Sequence, residues 1–240
     1  MQRVAEGLIT LFRLVMRLAV LLAVTVPATA VAGGSSWSAV VDLAEIQLRP
    51  TGPLHWESAV YRSLGNGRLH LELDGDGQAS SGIGGVQIQV LYEQTVLTGA
   101  AVWVGGEHDI GASPWNALDV GACVQASDAL YGETSLFMDS RGRAFHQVKI
   151  IAIQPIGRRL YLEPRVVLDS AFQNDRQRSM AAGPSALSLA VRLRLKEARG
   201  LAPYTGLMCT TAVGRSATWA RSHAEDVHSC GFVLGLGANL

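Results

Sequence analysis

His70, Glu72 and Asp74 recur at every second position of the run Arg68-Leu69-His70-Leu71-Glu72-Leu73-Asp74. On an extended strand successive side chains point to opposite faces, so these three share one face. Met208 falls on the polar face of a later alternating run. Imidazole, carboxylate and thioether together are donors for a transition metal, and His70, Glu72, Asp74 and Met208 form the candidate metal set. The plainer reading, a histidine satisfied by Glu72 or by a neighbouring strand, is preferred for His70. A second set shares the polar faces: Arg68, Glu93, Lys149, Glu163, Arg165, Asp169, Arg192, Arg194 and Lys196. Ions in a dry interior are costly unless paired or hydrated, so these groups must meet each other or water. Ser222-His223 and His228-Ser229 are adjacent pairs. Neighbours on a strand face opposite ways, so neither makes a nucleophile–base pair, no catalytic residue is assigned, and the protein reads as a non-enzyme.

The elements that must position these groups have a period of two. Leu187, Leu189, Val191, Leu193 and Leu195 alternate with Ser188, Ala190, Arg192, Arg194 and Lys196. Leu69, Leu71 and Leu73 alternate with His70 and Glu72, and Val86, Ile88, Val90 and Tyr92 alternate with Gln87, Gln89, Leu91 and Glu93. A soluble sandwich also alternates. Two features favour a membrane barrel instead: charge deep within strands, and connections that alternate between short and long. Twelve strands are predicted near 40–49, 54–63, 67–76, 85–96, 99–107, 116–127, 130–139, 144–155, 159–171, 186–197, 202–213 and 227–240. Short turns at one end, long loops at the other and an even strand count describe an antiparallel, all-β transmembrane barrel of the outer membrane. Asn66-Gly67 marks a tight turn. Pro164 has no N–H for a ladder, so an irregularity is expected there.

The 240-residue chain has 20 Lys+Arg and 20 Asp+Glu, which argues against a nucleic-acid partner. Residues 1–32 read as a cleaved helical signal peptide, with Arg3, Arg13 and Arg17 ahead of or beside an apolar run and small residues at Ala28-Thr29-Ala30 and Ala30-Val31-Ala32. A retained anchor is the competing reading. Removing 1–32 takes away three Arg and Glu6 and leaves a net charge of −2. Residues 33–39 then form a short periplasmic segment, and 40–240 the barrel. Parity puts Cys209 and Cys230 on the apolar face of the last two strands, almost opposite each other. A disulfide is one reading. Two thiols facing lipid are slightly favoured, because directly opposed strand positions suit disulfide geometry poorly.

Several stretches carry a resemblance over residues 38–240. These are Asp42-Leu43-Ala44-Glu45 with Trp56, Asn66-Gly67-Arg68-Leu69-His70-Leu71, Gln87-Ile88-Gln89-Val90-Leu91-Tyr92, and Arg159-Leu160-Tyr161-Leu162-Glu163-Pro164-Arg165. The most specific is Leu201-Ala202-Pro203-Tyr204-Thr205-Gly206, followed by Ala220-Arg221 and Glu225-Asp226. Together they resemble the copper resistance protein B family of the Gram-negative outer membrane. The resemblance implies copper resistance or homeostasis, by binding copper or passing it across the membrane. It implies copper as the metal, contact with outer-membrane lipid, and a periplasmic multicopper oxidase as partner. Cu(I) prefers sulfur donors and Cu(II) imidazole and carboxylate, so the four candidates above would be its contacts. The chain departs from the family at four places. Residues 33–40 lack the Met- and His-rich segment that members often carry, Ala224 replaces a Gly, Gly105 replaces a lumen Arg, and the chain ends in Leu240 rather than an aromatic. The alternative function is a metal-blind structural barrel or narrow pore.

Overall fold

The computed structural model describes residues 39–48, 54–64, 66–78, 82–110, 115–175, 180–196 and 201–239. The expected signal peptide and most of the short segment after it lie outside these residues. The strands are β1 (Ala39–Leu48), β2 (Leu54–Leu64), β3 (Gly67–Gln78), β4 (Gly82–Leu97), β5 (Ala100–Asp109), β6 (Trp115–Ser127) and β7 (Leu130–Asp139). They continue as β8 (Ala144–Ala152), β9 (Gln154–Ile156), β10 (Leu160–Ala171), β11 (Gly183–Leu195), β12 (Leu201–Ala212) and β13 (His228–Asn239). One helix, α1 (Gly214–Ser222), lies between β12 and β13. Every strand pairs antiparallel with its neighbour, β10 pairs with β11, and β13 returns to β1, so the sheet closes on itself. β8 and β9 are two parts of one crossing, which makes a twelve-stranded barrel.

Pro164 explains why that crossing is split. Arg165 pairs with Ile151 and Leu162 with Gln154, so the register is the same on both sides of the break. Only the positions at Glu163 and Pro164 drop out of the ladder on this side. Proline supplies no N–H, so the ladder is interrupted without slipping. On its other side Pro164 keeps its place opposite Val191. The expected irregularity is thus a local gap.

The outer face is apolar. Val102, Val104, Leu118, Val120, Leu189, Val191, Leu207 and Phe232 are exposed, which in water would be a liability and in lipid is the requirement. Among the described residues no helix is long and apolar enough to cross a membrane. All connections at the chain-terminal end are brief. Those at the opposite end include the 172–182 segment and the helix, and we call the two ends the turn end and the loop end.

Helix α1 replaces the open loop predicted over 214–226. Its buried face is Ser216, Ala217 and Ala220, small residues one turn apart that let the helix lie close on β11. Ser216 Oγ accepts the Ala181 N–H at 2.9 Å and fixes the helix to the neighbouring segment. At its C-terminus the Glu225 N–H bonds Ala220 O at 2.9 Å and the Ala224 N–H bonds Arg221 O at 3.3 Å. That is a Schellman cap, with Ala224 in the left-handed position at φ 57°.

Candidate functional site

Period two turns half of every strand inward. Sequence parity assigned His70, Glu72, Asp74, Arg68, Glu93, Lys149, Glu163, Arg165, Asp169, Arg192 and Arg194 to the lumen, and all of them line one cavity of about 730 Å³. Its walls run from Asp128 and Leu130 at the turn end to Asp109 and Trp115 at the loop end. Lys196 sits beyond the last pair of β11, exposed at the turn end, with Nζ 5.1 Å from the Tyr161 ring centre.

The cavity fills only part of the barrel. Its lining comes from the wall between β2 and β11, and among the described residues none of β1, β12 or β13 contributes. That remaining sector is plugged. Tyr204 on β12 lies flat over β13, where a Cβ on Gly235 would stand 2.0 Å from the ring, so glycine is needed for the close approach. Ala59, Tyr204 and Val233 form a buried cluster against which Tyr61 and Met208 pack. Arg192 crosses from the opposite side. Its Nη2 is 2.7 Å from Glu45 Oε2, and its Nη1 is 3.3 Å from Glu163 Oε1. Arg194 Nη2 reaches the other Glu163 oxygen at 3.3 Å, and Tyr204 OH donates to Glu45 Oε2 at 3.0 Å. Arg192 and Glu45 are 2% and 1% exposed, so both charges depend on this pairing.

The open part is asymmetric in charge. Among the described residues its lining holds eleven Asp and Glu against five Lys and Arg. Among the described residues of the wall from β2 to β6 there are seven carboxylates and one base, Arg68. Arg68 is bound by Glu93 through two bonds of 2.8 and 2.9 Å. Neighbouring strands stack the acids in tiers. Glu57 opposes Asp74, Asp74 opposes Gln87, and Gln87 opposes Asp109. One tier nearer the turn end, Glu72 opposes Gln89, and Gln89 opposes Glu107. Lys149, Arg165, Arg192 and Arg194 stand on β8, β10 and β11, with Lys149 paired to Glu133. In the order of strands around the ring, β3 and β4 lie across from β10 and β11. The lumen therefore has a predominantly acidic wall facing a basic one.

His70 stacks on Tyr61 with ring centres 4.2 Å apart, and its Nε2 is 3.6 Å from Glu72 Oε2. Asp74 follows on the same face. Met208 stands apart from them, in the plugged sector, where its sulfur accepts Gln47 Nε2 at 3.2 Å. Among the described residues no three His, Cys, Asp or Glu side chains converge on a common metal position. Asp119 lies at the end of the acidic wall. Its Oδ2 accepts Gln89 Nε2 at 2.8 Å and Trp103 Nε1 at 3.2 Å, while Oδ1 is buried and makes no hydrogen bond. Glu57, Glu107, Asp109 and Asp119 are not among the candidates read from sequence. Period two along β2, β5 and β6 would have selected them.

Two other expectations meet the structure here. Cys209 and Cys230 are register partners with Cα atoms 4.0 Å apart, and their sulfurs are bonded. The two free thiols favoured from sequence are therefore replaced by the disulfide. Ser222 and His223 do meet, at 3.1 Å, because they end a helix rather than share a strand. Trp219 Nε1 donates to His223 Nε2. The ring proton then sits on Nδ1, so the imidazole has no lone pair directed at Ser222. Ser222 Oγ instead donates to Trp219 O at 2.7 Å.

Comparison with known proteins adds the following. The family model described as copper resistance protein B precursor matches residues 35–239. A copper resistance protein B homolog of Pseudomonas syringae pv. tomato is 27% identical over 151 residues, which cover 62% of this chain and 51% of that protein. The chain thus spans about half the length of the curated relative it matches. Among solved structures, the NanC porin superposes with a TM-score of 0.60 at 14% identity, over 85% of this chain and all of that one. The KdgM porin gives 0.53 at 9% identity, over 84% and 99%. These two likenesses concern the fold.

Proposed function

We propose that this chain, which belongs to the copper resistance protein B family, serves copper resistance and homeostasis by binding copper or passing copper ions through its barrel. It is an outer-membrane protein, as the twelve-stranded barrel and the family both require. The long connections face outward by the usual arrangement of such barrels. The observation that carries the reading is the lumen itself. It is polar, runs the length of the barrel, and is lined by eleven carboxylates against five bases. Such a lining attracts cations and repels anions.

His70 and Glu72 are the candidate contacts within it, with Asp74 one step further along β3. Met208 stands apart from them, partly buried against the Tyr204 cluster. The oxidase partner rests on the resemblance alone. The test is copper tolerance of a deletion strain. Loss of the gene should lower the tolerated copper concentration, and the wild-type gene should restore it. Unchanged tolerance would overturn the proposal.

A second reading is a metal-blind barrel or narrow pore. It is favoured by the lack of three converging ligands among the described residues. Elemental analysis of the purified barrel after dialysis against copper, with zinc as control, separates the two. Copper retained no better than zinc, together with unchanged tolerance, supports the pore.

A further inference from the structure

We infer that the copper species this lumen conducts is Cu(II) rather than Cu(I), and that it travels along the acidic wall from β2 to β6. The inference rests on the proposed function and specifies its cargo. Three features of the wall carry it. The first is charge. Among the described residues seven carboxylates and a single arginine face the lumen on these strands, in tiers two residues apart along each strand. A divalent ion gains about twice what a monovalent ion gains from the same potential.

The second feature is Asp119. Its side chain is fully buried at 0% exposure, yet it lines the lumen with Oδ1 unbonded. A buried carboxylate oxygen without a donor costs free energy unless something in the lumen satisfies it. A cation or its hydration water does so. The third is the donor chemistry. At the other end of the same register row, three strands from Asp119, is the His70 imidazole, whose Nε2 makes no hydrogen bond and lies 3.6 Å from Glu72 Oε2. Carboxylate, imidazole and water are the donors of Cu(II).

Cu(I) asks for sulfur, and among the described residues the sulfur atoms do not converge: Met138 is exposed on the outer face. Cys123 is buried near the turn end beside Gln125 and Tyr131. Met180 is near the loop end, bridged to Asp175. Met208 is partly buried against the Tyr204 cluster in the plugged sector, and Cys209 and Cys230 are bonded to each other on the outer face. The dispersed carboxylates suit passage rather than storage, because conduction needs contacts that are weak and repeated.

The protein purified from outer membranes and reconstituted in liposomes tests this with a trapped copper-responsive dye. Cu(II) sulfate and anaerobically reduced Cu(I) are added in parallel, and the KCl reversal potential is recorded. Cu(II) should enter about tenfold faster than Cu(I), and the potential should report preference for K⁺ over Cl⁻. Glu72→Gln combined with Asp119→Asn should slow Cu(II) entry by about tenfold and raise the Cl⁻ share of the current. Glu107→Gln, on the same wall, is the second variant should that pair fail to fold. Cu(I) entering as fast as Cu(II) overturns the inference and leaves the proposed function standing. K⁺ current with no entry of either copper species overturns the copper-passing function itself.

Discussion

Arg192 of β11 and Glu45 of β1 meet across two intervening strands, with Nη2 2.7 Å from Oε2. The contact shuts one sector of the barrel and leaves the other open. Arg192→Ala would strand Glu45 in a buried position with, among the described residues, Tyr204 and Gln47 to donate to it. Breaking a buried pair costs about 3–5 kcal/mol. The remaining donors and the adjacent cavity place the loss toward the lower end. A lower urea midpoint of the detergent-folded barrel, read by tryptophan fluorescence, is expected. Replacing Glu45 with Gln in the same chain should recover part of the loss, because the uncompensated charge is then gone.

The second stability prediction concerns the plug. Gly235→Ala puts a Cβ within 2.0 Å of the Tyr204 ring. Overpacking of this kind costs about 1–3 kcal/mol. Tyr204→Phe keeps the ring and should not relieve the clash, whereas Tyr204→Leu should relieve it in part. Equal urea midpoints for Gly235→Ala and wild type would show that the ring is free to move away.

How much of this was legible in the sequence follows from what a period of two can encode. It encodes face. Lys149, Arg165, Asp169 and Arg192 are all assigned inward by alternation, and all line the lumen. It does not encode which inward residues meet, because that depends on the closure of β13 on β1 and on the shear of the ring. Glu45 and Tyr204 therefore stay invisible as partners of Arg192, and Met208 looks equivalent to His70 although the plug separates them. Helix α1 is missed for a different reason. Its buried face consists only of Ser216, Ala217 and Ala220, so no apolar stripe announces it. Pro164 was the reverse case, since its missing N–H acts wherever the ladder runs.

The bonded pair on the outer face gives a chemical prediction. Cys209 and Cys230 are joined, and Cys123 is the one free thiol. Denatured, unreduced protein should take up one maleimide–polyethylene glycol per chain, and reduced protein three. Three labels before reduction would mean that the sulfurs are not bonded. Labelling should be carried out on protein taken from the membrane, because the periplasm supplies the oxidising conditions.

Ala224 occupies a position that glycine adopts without cost. Its φ of 57° closes the helix cap, and an L side chain there costs roughly 1–2 kcal/mol relative to the right-handed region. Ala224→Gly keeps both cap hydrogen bonds and removes that cost. The gain is partly offset by the greater freedom of glycine in the unfolded chain, leaving about 1 kcal/mol. Amide exchange at Glu225, which bonds Ala220 O, should slow by about fivefold. Faster exchange in the glycine variant would show that the cap is not the limiting opening.

Arg143 fastens the loop end. Its Nη2 is 2.7 Å from Asp139 Oδ2 and its Nη1 2.5 Å from Asp175 Oδ1, so one guanidinium joins the β7–β8 hairpin to the segment after β10. Asp139 is held by the Arg141 and Arg143 N–H groups as well, at 2.9 and 2.8 Å, and would keep its place without the side chain. Asp175 receives the other arm of the guanidinium. Its amide and that of Met180 bond each other's carbonyls at 2.7 and 2.9 Å, and Met180 lines the lumen. Arg143→Ala should therefore speed exchange of these two amides by about tenfold while leaving those of β7 unchanged. Arg143→Lys should restore little of the protection. A lysine is a single point charge and cannot hold two carboxylates in the fork geometry that arginine provides. If the lysine variant protects as well as wild type, attraction alone fastens the segment, and the fork is not required.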